Sequence, residues 1–546
     1  MVGIGRRPGS RTNTRAPTTP TPDESSRSLE TGDEDWRVDD YDHVPRLSND
    51  CYDAIAVCFA SVNQDNGFYQ SFTTKSLPSR ELMNSFVQVY FEAFQSIFPL
   101  LHQPTFDPSQ CHWLLVLAVA TTGCRFSQQS WGVTRLMDNL LRRAVQLNIE
   151  RNYHTSYCLW IAQSALLSQI CMMWSGDTML TDMAHANMAM VATLCRRVNA
   201  FVETDVDNIS LVGQNWDLWV QAESKRRLAY CAWVLDTQHL MFFDLPPQIP
   251  NDLLQARMPC HEQFWEAQSQ SRWSELLERT GNATTPHRPG RLGQELSRLY
   301  RTKRRPDNLS DFKFLILSMG VYRDAQRVEN ASAYLDILRP KDSSPLQQSQ
   351  MGRIAIQHNH FLAFLLRVNF RELFAFSGWR IDDAERAKSC SRLQRWMKQR
   401  GPEARCAVLH AAKSFSYLRM YPTHGYHKSQ CTLLSALMIW AYIDCSTSND
   451  VESTAKDGVG EGRALTLRLD KCSIEEPLVE TWLQKGGRIR PYLAGVGSLH
   501  EHGANGRLIK ETARLFASDE SWPLSYTVRF LLLGQFRSRA GCANGS

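Results

Sequence analysis

The chain has 546 residues, 43% hydrophobic and 21% charged, a composition that is ordinary for globular proteins and ample for a large core. Its 61 lysines and arginines against 56 acidic residues leave a net charge of +5, which excludes a chain that is basic throughout. The 15 cysteines are too few for a disulfide scaffold and predict free thiols in a reducing compartment.

The N-terminal stretch differs from the rest of the chain. Residues 1–20 carry four arginines and no acid, whereas residues 21–50 have a net charge of −7 and almost no aliphatic pattern. This composition predicts a mostly disordered tail over residues 1–76. No apolar core follows Met1, so we expect no signal peptide. The longest uninterrupted apolar run has eight residues, Trp113 to Ala120. A membrane span needs ~20, so no membrane partner is expected.

Helical patterns begin at about residue 77. Pro78 and Ser79 are a helix-start signal, apolar residues follow at helical spacing, and Pro99 ends the pattern. The apolar run Cys111–Cys124 predicts a fully buried helix. Further helical patterns cover residues 133–150, 156–174, 180–198 and 216–243, and Pro246 with Pro247 stops the last of them.

A polar stretch over residues 279–310 is interpreted as a linker. Helical patterns resume at residues 311–330, 350–377, 403–419 and 430–443, and no β-rich run with regular turns interrupts them. We therefore predict an all-α fold with two helical lobes. The predicted divisions are a tail 1–76, a lobe 77–278, a linker 279–310, a lobe 311–535 and a disordered tail 536–546.

Patterns typical of metal sites are weak. A structural zinc site needs paired thiolates or imidazoles at short spacing, and Cys51 and Cys58 have no second pair nearby. His358 and His360 lie in a helical pattern, where residues two apart face different sides and cannot share a metal. We expect no metal ligand and no cofactor in this chain.

Patterns typical of catalysis are weak too. Asp382 and Asp383 come closest to the acidic motif that holds magnesium in all-α prenyl enzymes, but Arg386 stands where a further acid belongs. Gly-x-Ser-x-Gly and phosphate-binding glycine loops are absent from the sequence. An all-α enzyme with an aromatic-lined pocket remains an alternative, but we predict no catalytic residue and no enzyme.

The most informative segment is Trp216–Asp236. Glu223 and Arg227 are i,i+4 neighbours on one helix, in the favoured order, and Trp219 and Trp233 add large apolar surface. Arg226 and Arg227 are expected to reach carboxylates or helix ends on neighbouring helices. We predict a structural signature helix with the residues Trp219, Glu223, Arg226, Arg227, Trp233 and Asp236.

This pattern, Trp-x2-Trp-x3-Glu-x2-Arg-Arg-x5-Trp-x2-Asp, resembles the fungal-specific transcription factor domain, the middle homology region of fungal zinc-cluster and zinc-finger regulators. Four further segments agree with it in order, namely Phe94–Phe106, Leu115–Gly123, Trp174–Arg197 and Pro250–Cys260. The resemblance covers about residues 86–275. Residues 311–535 are more loosely similar to the C-terminal half of the version attached to two-Cys two-His fingers.

The resemblance implies an all-α regulatory region of a nuclear transcription regulator that controls a metabolic or secondary-metabolite gene cluster. The partners it implies are promoter DNA, directly or through a partner protein, a homo- or heterodimer, and a small-molecule effector. In the family, DNA is read by a separate N-terminal zinc module. Residues 1–75 hold only Cys51, Cys58 and His43 as candidate ligands, so zinc is expected only if such a module exists outside this sequence.

Three explanations of the missing zinc module stay open. The chain is a shortened gene model or truncated relative, it dimerises with a finger-bearing partner, or it contacts DNA through basic segments at Arg6–Arg15 or Arg301–Arg305. The alternative function is a helical interaction module, or decoy partner of a finger-bearing regulator, without DNA binding of its own.

Residues 301–306 contain a short basic cluster, Arg-Thr-Lys-Arg-Arg-Pro. Clusters of this kind are typical of nuclear import signals as well as of exposed linkers. We interpret Arg301, Lys303, Arg304 and Arg305 as a candidate import signal, in keeping with the expected location in the nucleus.

Overall fold

The computed structural model describes most of the chain from Asp42 to Trp522. The described residues are 42–64, 71–72, 76–127, 131–151, 154, 157–203, 215–279, 290–307, 309–340, 349–421, 424–453, 465–487, 489–517 and 522. Within these residues the structure is almost entirely helical, with 19 α-helices and three short strands. The predicted all-α fold is confirmed.

The described residues up to Phe243 form seven α-helices. They are α1 (Asn49–Val62), α2 (Arg80–Val89), α3 (Trp113–Cys124), α4 (Trp131–Arg151), α5 (Leu159–Met173), α6 (Thr178–Arg197) and α7 (Trp216–Phe243). A π-helical turn, Tyr90–Phe94, continues α2, and 3-10 turns lie at Gln103–Thr105 and Asn251–Leu253.

The described residues after Phe243 form twelve more α-helices. They are α8 (Glu262–Trp265), α9 (Gln270–Arg279), α10 (Leu292–Thr302), α11 (Asp311–Arg323), α12 (Ala331–Leu338), α13 (Gln350–Leu365), α14 (Phe370–Ser377), α15 (Asp383–Gln399), α16 (Gly401–Met420), α17 (Lys428–Ser453), α18 (Pro477–Lys485) and α19 (Ala504–Ala517).

Three short strands form one small sheet in the C-terminal part, in the order β1 (Leu465–Arg468), β2 (Ile489–Leu493) and β3 (Gly497–Ser498). Strands β1 and β2 run parallel, with Leu465 opposite Ile489, and the crossover between them contains α18. Strands β2 and β3 are antiparallel, with Tyr492 opposite Ser498. No sequence pattern marks this sheet, because its strands are only two to five residues long.

Short polar side chains fix where several helices begin. Ser48 accepts a hydrogen bond from the backbone N–H of Cys51 at the start of α1, and Ser79 caps α2 in the same way. Asp177 and Asn215 cap α6 and α7. Each cap satisfies an N–H group that the helix itself leaves without a partner. The predicted helix start at Ser79 is therefore confirmed.

Helix α3 is the centre of the first half of the fold. Eleven of its twelve residues are buried, all except Trp113, and it packs against α2, α4 and α5. The predicted fully buried helix is thus confirmed. In the second half, α13 and α16 pack against each other, with α11 and α17 on either side. Buried apolar residues of both halves form one continuous core that extends from Val44 to Trp522.

Two predicted boundaries are wrong in part. The predicted tail 1–76 contains α1, whose residues Cys51, Ile55, Cys58 and Val62 are buried on one helical face. The predicted linker 279–310 contains α10, which buries Leu292, Leu296 and Leu299. Within each of these two helices the polar residues lie on the more exposed side, opposite the buried apolar positions, as in an amphipathic helix.

The remaining parts of those predictions lie largely outside the described residues. These are residues 1–41 and 536–546, which the sequence analysis assigns to disordered tails. The described residues form one compact unit, so the proposed division at 279–310 does not divide the hydrophobic core. In the part of the chain that the structure describes, none of the helices is both long and apolar enough to cross a membrane.

Gly123 provides a test of the packing between α2 and α3. A Cβ atom at this position would lie 1.9 Å from the carbonyl oxygen of Phe86 in α2, so the two helices would have to separate. We expect Gly123→Ala to lower the free energy of unfolding by about 3 kcal/mol, the upper end of typical overpacking costs. Urea unfolding followed by circular dichroism measures this.

The matched control is Gly293→Ala in α10, because a Cβ atom there meets nothing within 4 Å. Alanine is the better helix former, so this variant should be unchanged or more stable by up to about 1 kcal/mol. Equal stability of the two variants would contradict the close approach of α2 and α3.

Candidate functional site

Helix α7 carries the six residues predicted as a structural signature. It has 28 residues, and its C-terminus is closed by Asp244 in the left-handed conformation. From Arg227 to His239 every residue is buried, which includes Trp233 and Asp236. Trp219 is half-buried near the N-terminal end. The signature helix therefore runs through the interior of the fold.

Glu223 and Arg227 form an ion pair that is closed to solvent. The distance from Arg227 Nε to Glu223 Oε1 is 3.1 Å, and both side chains are 0% exposed. Arg226 Nη1 lies 2.9 Å from Glu223 Oε2. The backbone N–H of Cys260 donates to Glu223 Oε1 at 2.8 Å. One carboxylate thus holds two arginines and the chain that follows α7.

The guanidinium of Arg227 connects three distant parts of the sequence. Its Nη1 donates to the carbonyl oxygen of Pro99 at 3.3 Å, and its Nη2 donates to that of Cys260 at 3.4 Å. The ring of Trp265 in α8 lies 4.4 Å from the guanidinium carbon. The sequence predicts that Arg227 reaches carboxylates or helix ends on neighbouring helices. In the structure its carboxylate partner lies on the same helix, and its other acceptors are the carbonyl oxygens of two loops.

Arg226 joins a second group of charges. Its Nη2 lies 3.7 Å from Glu203 Oε1, and Arg257 Nε donates to Glu203 Oε2 at 2.9 Å. Glu203 follows α6 and Arg257 lies between α7 and α8, so these contacts link α7 to both of those segments. Sequence reasoning missed Glu203 and Arg257, because neither lies at helical spacing from the signature.

Asp236 anchors the C-terminal half of the signature helix. Its carboxylate accepts hydrogen bonds from the backbone N–H groups of Gln248 and Ile249, both at 2.9 Å. Arg323, the last residue of α11, donates to Asp236 Oδ2 at 3.1 Å and lies 5.2 Å from the ring centroid of Trp233. Sequence reasoning did not find Arg323, because its partner is 87 positions away.

Trp233 extends these contacts to α10. Its Nε1–H donates to Asn251 Oδ1 at 3.1 Å, and Asn251 donates to Asp324 Oδ1 at 3.0 Å. The hydroxyl of Tyr300 in α10 donates to the other oxygen of Asp324 at 3.0 Å. The signature helix is thus tied to α10 and α11 through a chain of polar contacts.

Burial and pairing set the charge states of this network. Burial alone would raise the pKa of Glu223, but the guanidiniums of Arg227 and Arg226 outweigh it and hold the pKa below its ordinary value. Glu223 is therefore a carboxylate at neutral pH. For Asp236, burial prevails over the two backbone N–H groups and Arg323, and the pKa is raised. These charged groups therefore stabilise the packing around α7 and do not form an acid–base pair.

The residues considered as metal ligands or catalytic groups have structural roles instead. Among the described residues, no three His, Cys, Asp or Glu side chains are close enough to hold a metal ion. Asp382 caps α15 by accepting from the N–H of Glu385 at 2.7 Å, and Asp383 pairs with Arg386 at 3.4 Å. Burial raises the pKa of Cys51 to about 12 and that of Cys58 to about 11. These thiols are poor metal ligands.

The predicted import segment lies at the surface. Helix α10 ends at Thr302, and Lys303 closes it in the left-handed conformation. Arg301, Lys303, Arg304 and Arg305 are all exposed. Their exposure leaves them available to a partner, and their role as an import signal stays a prediction.

Two buried histidines of α13 each contact a buried histidine from another part of the chain. His358 and His360 point to different neighbours, as their spacing predicts: His360 Nδ1 lies 3.0 Å from His410 Nδ1, while the ring of His358 lies 4.5 Å from that of His427. Burial lowers the pKa of all four, that of His358 to about 4. Burial also lowers the pKa values of His102 and His239 to about 4.

Residues 87–319 match the model of the fungal-specific transcription factor domain. A transcription factor of Gibberella fujikuroi is 35% identical over 90% of this chain and 64% of its own length. The nicotinate catabolism cluster-specific transcription factor of Emericella nidulans is 21% identical over 73% of this chain and 52% of its own length. A zinc finger protein of Schizosaccharomyces pombe is 22% identical over 39% of this chain and 28% of its own length.

The chain thus covers less than two thirds of the length of each of these relatives. The matched domain and the relatives from Gibberella fujikuroi and Emericella nidulans are described as transcription factors and not as enzymes. No protein of known structure matches the chain.

The buried pair predicts the effect of removing one charge. Glu223→Gln keeps the shape of the side chain but leaves the guanidinium of Arg227 buried without a carboxylate. We expect the free energy of unfolding to fall by about 3–5 kcal/mol. Urea unfolding of the purified chain measures this, and a loss below 1 kcal/mol would contradict the buried pair.

The control for this variant is Glu275→Gln in α9. Glu275 pairs with Arg272 at 2.7 Å and with Arg279 at 2.6 Å, but its side chain is 42% exposed. Solvent screens this pair, so the change in unfolding free energy should stay within about 0.5 kcal/mol.

The buried histidines predict a loss of stability in mild acid. They are neutral in the folded chain, whereas in the unfolded chain they bind protons at an ordinary pKa of 6.5. Stability should therefore fall as the pH drops from 6.5 to about 4, by up to about 1.4 kcal/mol per pH unit for each histidine. Asp138, whose pKa burial raises to about 6, offsets part of this loss.

The unfolding free energy measured between pH 7 and pH 4.5 checks this expectation. His358→Leu should reduce the slope, because it removes one group that takes up a proton on unfolding. His502→Gln, at an exposed position, should leave the slope unchanged. A stability that rises toward pH 5 would contradict the assignment.

Proposed function

Because residues 87–319 are a fungal-specific transcription factor domain, we propose that this chain is the regulatory region of a transcription regulator that acts in the nucleus. The observation that carries the proposal is the match of this domain, together with a transcription factor that is similar over 90% of the chain.

We infer that the regulated genes belong to one metabolic or secondary-metabolite pathway. The support is the relative from Emericella nidulans, whose name assigns it to a nicotinate catabolism cluster and which is similar over 73% of this chain. The two sequences are 21% identical, and this level of identity supports a shared kind of regulation rather than the same pathway. A small-molecule effector is part of this proposal, since pathway regulators respond to metabolites.

The geometry supports a scaffolding role for the signature residues within such a regulator. Glu223, Arg227 and Asp236 are buried and engaged with neighbouring segments, so they are not available to phosphates of promoter DNA. We propose that DNA is contacted through a zinc module or a finger-bearing partner, as in regulators of this family. The exposed basic residues 301–305 serve nuclear import.

The experiment combines localisation with transcript profiling. A fluorescently tagged chain should accumulate in the nucleus, and deletion of the gene should change the transcripts of a limited, functionally related gene set. A tagged chain confined to the cytosol, with no altered transcripts, would overturn the proposal.

The import segment is tested by Arg301→Gln, Lys303→Gln and Arg304→Gln combined. The loss of three exposed positive charges should lower the nuclear fraction several-fold without affecting stability. The matched control combines Lys388→Gln, Arg395→Gln and Lys398→Gln on the exposed face of α15, with the same change in charge. Equal nuclear fractions in the two variants would assign the import signal to another segment.

A further inference from the structure

Trp522 is inserted in an aromatic cage that belongs to distant parts of the chain. Its side chain is 0% exposed. Its ring centroid lies 6.5 Å from that of Phe94, 6.0 Å from that of Phe126 and 5.9 Å from that of Tyr426. The indole N–H donates to the carbonyl oxygen of His424 at 2.8 Å. The cage thus provides ring contacts and one hydrogen-bond acceptor for a flat aromatic group.

Arg125 forms the remaining wall. Its guanidinium carbon lies 4.7 Å from the ring centroid of Trp522, and its side chain is 0% exposed. Its Nη2 donates to both carboxylate oxygens of Asp138, at 2.6 and 2.7 Å, and to the carbonyl oxygen of Cys171 at 2.8 Å. One nitrogen of the guanidinium is therefore held in place by a carboxylate and a backbone carbonyl.

Two nitrogens of Arg125 have unused hydrogen-bonding capacity. Among the described residues, neither Nε nor Nη1 has a hydrogen-bond acceptor, although both are buried. A buried N–H group without an acceptor is costly. Trp522 offers Arg125 only the face of its ring, so a molecule that also carried an acceptor would make contacts that Trp522 lacks.

The charge balance limits which acceptor fits. The positive charge of Arg125 is already balanced by Asp138, which is buried with it. A second anion in this space would leave an excess negative charge out of water, which is unfavourable. A neutral carbonyl oxygen satisfies the N–H groups without adding charge.

The cage lies close to the surface. Phe126 is only partly buried and His424 is exposed, whereas Phe94 and Tyr426 form the deeper walls. The outer edge of the cage is thus formed by residues at the surface.

We propose that this cage is a binding site for a planar aromatic molecule that carries one N–H or O–H donor and one neutral carbonyl acceptor, and that Trp522 is its intramolecular competitor. The donor takes the place of the indole N–H at the carbonyl of His424, and the acceptor binds Arg125. The inference rests on the proposed function in one respect: it names the chemical class of the effector of that regulator.

The first test uses the full chain with Trp522→Ala and three probes. Indole-3-carboxaldehyde carries ring, donor and acceptor, indole lacks the acceptor, and indene lacks both. Calorimetry should show 1:1 binding with affinities in that order and at least a tenfold step between the aldehyde and indole, because only the aldehyde satisfies Arg125. Equal affinities for all three probes would reduce the site to an apolar cavity and overturn the proposal.

The second test uses the chain with Trp522 in place, so it does not depend on the folding of the alanine variant. The 15 tryptophans are labelled as 5-fluorotryptophan, and the fluorine resonances of Trp522 and Trp233 are assigned with Trp→Phe variants. The aldehyde should move the Trp522 resonance toward the value of solvent-exposed tryptophan. The resonance of Trp233, which is buried in the core at 0% exposure, should stay in place.

A Trp522 resonance that does not move at millimolar aldehyde would overturn the competition. Both tests read binding to the purified chain and do not depend on transcription. A chain that binds the aldehyde but alters no transcripts would contradict the proposed function alone, and a regulator that ignores the aldehyde would contradict this inference alone.

Discussion

The fold depends on two charges that α7 carries into an interior without water. Glu223 and Arg227 are both closed to solvent, and a lone buried charge would cost several kcal/mol. The pair alone does not satisfy a guanidinium with five donors. The remaining N–H groups therefore require carbonyl oxygens, which Pro99 and Cys260 supply. This requirement fixes the chain after α2 and the chain before α8 against the same helix.

A similar constraint acts at the other end of α7. Asp236 takes two backbone N–H groups of the loop after the helix, and Arg323 completes its shell. Arg323 lies four residues beyond the segment 87–319 that matches the family model. A residue outside the matched segment thus holds the signature helix inside it. Together with the common hydrophobic core, this explains why residues on both sides of 279–310 form one compact unit.

The sequence predicted the helices of this fold better than their partners. Spacing and apolar runs along one helix are visible in the sequence, so the Glu223–Arg227 pair and the burial of α3 could be predicted. The acceptors of Arg227 are backbone carbonyls, which every residue has, and Arg323 is 87 positions from Asp236. No pattern in a single sequence marks such contacts. The polar composition of the surrounding segments hides α1 and α10, although Ile55 and Leu296 each lie four residues after a buried residue of the same helix.

Three buried arginines in this structure make the same set of contacts. Arg227, Arg323 and Arg125 each pair with a carboxylate, donate to a carbonyl and face a tryptophan, which are Trp265, Trp233 and Trp522 respectively. The contacts together replace the water that burial removes from a guanidinium. Arg227 and Arg323 have no buried side-chain N–H without an acceptor among the described residues, whereas Arg125 has two. The fold itself thus supplies acceptors for the buried N–H groups of Arg227 and Arg323. Those of Arg125 gain an acceptor only when a group with a carbonyl oxygen replaces Trp522 beside it.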